Sequence, residues 1–172
     1  MTLFHKKPAT SLIEILLYFV LAAILLMAFL TFSIQIGDLY GETANYYEVE
    51  YTTSFVHEHL EATLLEATGV DGATTVTGVA GGSLGLTVTD VLATPTQFYL
   101  ASGVLYLKEG ASAALALTPD TISVDSFQVT VLESSIGGQQ IQIDGQFSAA
   151  GVDRIEMEAQ IPFHWTFTLR IL

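Results

Sequence analysis

The chain has 172 residues, 51% of them hydrophobic and only 13% charged; it is too apolar for a disordered polymer and long enough for one domain with an appendage. Five Lys+Arg against 18 Asp+Glu leave a net charge of −13, so the body repels phosphate backbones and direct binding of nucleic acid is not expected. With no cysteine, disulfides, thiol catalysis and cysteine-ligated metals are excluded.

Residues 15–36 read ILLYFVLAAILLMAFLTFSIQI, with no charge and no proline. As a helix they extend about 33 Å, enough for a hydrocarbon core of about 30 Å. A buried helix of a globular protein would show a polar stripe; here Thr31, Ser33 and Gln35 gather near the far end. A membrane-spanning helix is expected. Lys6 and Lys7 before it, and Asp38, Glu42, Glu48 and Glu50 after it, place the N-terminus in the cytoplasm and the body outside. Gly37 and Gly41 mark a place for bending or local melting, since each glycine costs a helix about 1 kcal/mol relative to alanine. A cleaved secretory signal has a shorter apolar core, about 7–15 residues, ending in a small-x-small site. A plain signal anchor accounts for the span but leaves Glu14, at its start, unexplained; a charge inside a membrane helix is costly unless it sits near the headgroups.

Glu14 belongs to a second pattern. KKPA followed by TSLIEILL, residues 6–17, resembles the N-terminal signal of type IV pilins and pseudopilins: a short basic leader, a small residue, then F-T-L-I-E and an apolar helix. Lys6 and Lys7 match the leader, and Ser11, Leu12, Ile13 and Glu14 match T-L-I-E with serine for threonine. Ala9 stands where glycine is usual and Thr10 where phenylalanine is usual. The resemblance covers about the first third of the chain. It implies that a membrane prepilin peptidase cuts between Ala9 and Thr10 on the cytoplasmic side and N-methylates Thr10. The mature chain would keep 172 − 9 = 163 residues. It also implies partners: other pilin or pseudopilin subunits and an inner-membrane assembly platform. The helix would leave the bilayer for the core of a periplasmic or extracellular filament. There a carboxylate needs a positive partner, and the new α-amino group of a neighbouring subunit's Thr10 would supply one for Glu14. The organisation expected is a leader (1–9), a membrane or filament-core helix (10–36), its extension (37–68) and a β-rich domain (69–172).

The helical pattern runs on past the span. Val49, Val56, Leu60, Leu64 and Ala67 fall at spacings of a single face. Tyr40, Ala44, Tyr47, Tyr51 and Phe55 form an adjoining stripe, expected to pack on a β-sheet, with filament contact as the alternative. Thr68 and Gly69 stop the pattern. A helix over residues 10–67 would be about 87 Å long. After Gly69, period-two segments replace helical ones. Strands are expected over residues 84–89, 96–100, 104–108, 114–117, 123–133, 139–147, 154–161 and 164–171, with a hairpin at Ser102 and Gly103 and a break at Pro162. VTGVAGGSLG, residues 76–85, is expected as a flexible loop; no lysine follows it, so it is no phosphate loop. The fold class is α+β, a long N-terminal helix packed on an antiparallel sheet. That is also the pilin architecture, and the patterned run of residues 98–132 is similar to J-type minor pseudopilins and competence minor pilins.

Candidates for chemistry are sparse. His57 and His59 lie two apart on a helix and diverge, whereas zinc-binding helices use i, i+4; His57 is expected to pair with Glu61 in solvent. Glu156 and Glu158 share one strand face as an acidic edge. Asp120 and Asp125 sit beside turns, Trp165 is expected in the core, and no nucleophile elbow occurs. No enzymatic activity, cofactor or metal is expected. Two functional classes remain: a minor pilin or pseudopilin that joins or primes a pilus-like filament, and a signal-anchored protein with an outer β-rich binding domain.

Overall fold

A computed structural model describes residues 12–133, 138–150 and 159–170. The chain divides into two compact units, Met1–Tyr40 and Gly41–Leu172. Helix α1 (Leu12–Glu66) supplies all described residues of the first unit and opens the second. Within its apolar stretch, Thr31 Oγ1 donates to Met27 O and Ser33 Oγ to Phe29 O, both at 2.9 Å. These hydroxyls are thus satisfied by their own helix and need no water. Helix persists through Gly37 and Gly41, so the expected melting there does not occur. Two isolated glycines are outweighed by strong helix formers on both sides.

In the second unit the helix buries Val49, Thr52, Val56, Leu60 and Leu64. The expected apolar face is therefore correct, and Thr52 fills the seven-residue gap in it. Eight strands follow: β1 (Ala67–Val70), β2 (Ser83–Val88), β3 (Thr96–Ala101), β4 (Val104–Glu109), β5 (Leu115–Ala116), β6 (Ile122–Glu133), β7 (Gly138–Ala149) and β8 (Gln160–Arg170). They form two antiparallel sheets, β1-β2-β3-β4-β5 and β6-β7-β8. Leu84, Leu86, Phe98 and Leu105 from the first sheet and Phe127, Ile141, Ile143 and Phe147 from the second join the helix stripe in one core. The layout is α+β, as the hydrophobic periodicities require.

Several local features differ from expectation. The helix gives way directly to β1, whose pairing with β2 extends a pattern too short to stand out in sequence. Thr89 closes the helix end, its N–H and Oγ1 donating to Glu66 O at 3.2 and 3.1 Å. Pro162 does not break a strand; it lies inside β8, opposite Gln146. β8 is an edge strand of its sheet, where a missing N–H is tolerated. The earlier part of the segment expected at 154–161, including Arg154, Glu156 and Glu158, lies outside the described residues. The loop expected to be flexible is tied down: Gly78 N–H donates to Val129 O (3.0 Å), Gly82 N–H to Phe127 O (2.8 Å), and Phe127 N–H to Ala80 O (2.6 Å). It covers the outer edge of β6 and seams the two sheets together. The β3–β4 hairpin turns at Ser102 and Gly103, with φ of 52° and 78°, the paired left-handed geometry of a type I′ turn.

Gly145 shows why β7 needs a glycine at its centre. It faces Phe163 across β7–β8, and a Cβ there would collide with the Phe163 ring and with Ser126 O. The ring lies over the bare backbone and stacks on Trp165 at 4.2 Å. Gly145→Ala is therefore expected to destabilise the second unit by about 1–3 kcal/mol through overpacking. Leu60→Ala is expected to cost about 2–5 kcal/mol, and Tyr51→Ala within about 0.5 kcal/mol, as for other surface changes. Urea unfolding followed by near-ultraviolet circular dichroism checks all three.

Candidate functional site

Among the sequence-derived site residues, Lys6, Lys7, Ala9 and Thr10 lie outside the described residues. Glu14 is described. It sits near the start of the described helix. Tyr18 Oη, one turn on, donates to Glu14 Oε1 at 3.4 Å. Beyond it the helix surface is apolar on every side and open: Phe19 is 78% exposed and Met27 73%. By length and composition this is the one described helix able to cross a membrane, and none of its most apolar stretch is buried. Ile13, Leu16, Leu17, Val20, Leu21 and Ile24 line a shallow apolar groove along one side. An all-round apolar helix of this kind requires lipid or other helices around it.

The tyrosine stripe does not pack on a sheet. Tyr40, Tyr47 and Tyr51 are 75%, 65% and 72% exposed, and only Phe55 leans against the core. The two sheets cover one face of the helix, and the stripe lies on the next. At its foot Thr121 Oγ1 donates to Glu48 Oε1 at 2.5 Å, which fastens the helix to the turn before β6.

His57 and His59 do diverge. His59 Nδ1 meets Phe55 O at 3.0 Å, with the two rings 4.2 Å apart. His57 packs edge-on to Trp165 at 5.1 Å and against Phe167 at 5.5 Å. It is a packing residue at the helix–β8 contact and not the solvated partner of Glu61. Trp165 is half-buried against the core. Asp125 accepts from Ser148 Oγ at 2.9 Å. Among the described residues, no three His, Cys, Asp or Glu side chains gather to hold a metal ion.

A polar pair not anticipated from sequence lies across β7 and β8. His164 Nδ1 hydrogen-bonds Asp144 Oδ1, and Gln142 Nε2 donates to the other oxygen at 2.8 Å. The strand register places these residues opposite or beside one another on the solvent face. The hydrogen bond from His164, then that from Gln142, holds the Asp144 carboxyl below its ordinary value of 3.8. Such a depressed group adds stability that is fully present above the unfolded value and is lost as pH falls through the folded one. An NMR titration is expected to find Asp144 ionising below 3.8, and His164→Ala to move it upward toward that value. An unchanged titration in the variant would contradict the assignment.

No family model, curated protein or solved structure matches this chain.

Proposed function

We propose that the chain is a minor pilin or pseudopilin, a structural subunit that joins or primes a type IV pilus-like filament and carries out no turnover. One observation carries the reading: a carboxylate just ahead of a helical stretch, residues 15–34, that carries no charge and is exposed on all sides. A membrane anchor alone has no need of that carboxylate. A helix that exchanges lipid for a filament core does, because pairing Glu14 with a neighbour's N-terminal amine fixes axial position. The Lys6, Lys7 and Ala9–Thr10 pattern around it supports processing by a prepilin peptidase at the cytoplasmic face. The α+β second unit, with the helix continuing into it, accords with a pilin-like body held outside the membrane by a single span.

The bilayer stage and the filament stage make different demands on Glu14. In the bilayer it lies near the headgroups, where its cost is small. In the filament it is surrounded by apolar side chains, and an unmatched carboxylate there is penalised by several kcal/mol. Glu14→Ala and Glu14→Gln are therefore expected to insert in the membrane as wild type does but to enter sheared filaments at least about tenfold less, given 1.4 kcal/mol per decade. Immunoblots of membrane and filament fractions read both quantities. Incorporation equal to wild type would end the role assigned to Glu14. Wild-type chain confined to the membrane in cells that assemble filaments would favour the signal-anchored binding domain instead.

A further inference from the structure

Of the two outer edges of the three-stranded sheet, the fold covers one and leaves the other open. The edge of β6 is taken by the loop at residues 76–82. β8 is the opposite edge. Ala149 N–H donates to Ala159 O at 3.0 Å, and the unbroken β7–β8 register then fixes the phase of the ladder. Ile161, Phe163, Trp165, Phe167 and Leu169 exchange bonds with β7, while the alternate residues turn their backbone groups away from it. The outward set is the N–H groups of His164, Thr166 and Thr168, and the C=O groups of those three residues and of Pro162. Pro162 falls in this set, so its missing N–H costs the ladder no bond. No described residue bonds to any of these groups.

Open edges in folded proteins are blunted by lysine and other charges, by proline or by a bulge. Residues 163–169 read FHWTFTL, with no Lys, Arg, Asp, Glu or Pro, and the register there has no bulge. The open stretch is therefore a template for one more strand. It also has a wall. Helix α1 runs beside it, with His57 edge-on to Trp165 at 5.1 Å and against Phe167 at 5.5 Å. Thr53, Ser54, His57 and Trp165 line a hollow of about 320 Å³, at the low end of ligand-sized pockets, about 300–1,000 Å³. Further along β8, Thr168 borders a second hollow of about 350 Å³ with Leu64 and Thr68. Space thus follows the boundary between helix and strand. An edge strand beside such a groove offers main-chain bonds for affinity and subsites for alternate side chains for selectivity.

N–H and C=O groups that repeat at every second residue are matched by another extended chain. A second copy of this chain is disfavoured, because two chains of net charge −13 repel one another. The same charge selects against an acidic segment. We infer that β8 pairs with an extended segment of a different protein, neutral or basic, with apolar side chains at alternate positions, one of which enters the hollow between His57 and Trp165. The pairing does not depend on whether the first unit enters a filament.

The test uses the full chain in micelles of an uncharged detergent. The probe is a synthetic capped octapeptide in which threonine alternates with valine about a central phenylalanine, with a lysine at each end. Trp165 is the chain's one tryptophan, so its emission reports on the hollow. The peptide is expected to shift that emission saturably, with a Kd below about 1 mM. It should also slow hydrogen exchange at the His164, Thr166 and Thr168 amides at least about tenfold. The same peptide N-methylated at alternate amides should bind at least about tenfold more weakly, because it cannot complete the ladder. Thr166→Pro removes an outward donor and leaves the β7–β8 ladder intact, and should weaken binding by a similar factor. Unchanged exchange at the three amides with peptide at about 1 mM, or equal binding of the N-methylated peptide, would overturn the proposal. So would protection of those amides in the chain alone together with a dimer in analytical ultracentrifugation, which would give the edge to a second copy. If Thr166→Pro unfolds, the two peptides on the unaltered chain decide the matter.

Discussion

The burial of Val49, Thr52, Val56, Leu60 and Leu64 in the core they share with two antiparallel sheets is the interaction on which the second unit depends. Three of these side chains are fully enclosed: Val49, Val56 and Leu60. Each buried aliphatic group contributes about 1.5–3 kcal/mol relative to exposure, against a net stability of about 5–15 kcal/mol for a whole domain. Neither sheet could stand on its own inner face. Leu84, Leu86, Phe98 and Leu105 on one side, and Phe127, Ile141, Ile143 and Phe147 on the other, meet in the same core as the helix stripe. The loop at residues 76–82 then closes the seam by hydrogen-bonding along β6, and Thr89 closes the helix end. Gly145 sets the fit of the second sheet, since only a bare backbone leaves room for the Phe163 ring.

The same helix meets the opposite condition in the first unit. There its residues are apolar on all sides and exposed, and Thr31 and Ser33 satisfy their hydroxyls on the helix backbone itself. Between residues 15 and 34 nothing on that surface calls for water. Covering must come from lipid or from other helices, and the reading proposed above uses both in succession. Glu14 is the residue that distinguishes the two environments: it is tolerated at a headgroup boundary, but inside an apolar bundle it demands a cation. In the second unit Tyr47 and Tyr51 on the helix, and Val91 and Leu92 in the β2–β3 turn, are among the apolar and aromatic side chains left exposed.

Much of the architecture was legible in the sequence because it rests on periodicity. The i, i+4 spacing from Val56 through Leu60 to Leu64 predicted the buried helix face, and alternation in QQIQIDGQF predicted β7. The Ser102–Gly103 hairpin announced itself through turn chemistry. What was illegible depends on contacts distant in sequence. β1 is a strand because β2 lies beside it. Pro162 stays in a strand because β8 is an edge. The glycine-rich stretch is ordered because β6 presents an open edge to it. The tyrosine stripe is as periodic as the buried one, and only the placement of the sheets decides which of the two is covered. For the candidate site, the apolar helix and Glu14 were evident from composition and spacing, whereas the Asp144–His164 pair depends on strand register that no local pattern reveals.

The central claim is that the N-terminal helix is made for release from the membrane as well as for insertion in it, and the chemical state of the N-terminus tests it most directly. Intact-mass analysis and N-terminal sequencing of the full chain, purified from cells with an active prepilin peptidase, should find a polypeptide of 163 residues, that is 172 − 9, beginning with N-methyl-Thr10. A chain that keeps Lys6, Lys7 and Ala9 in such cells would contradict the account.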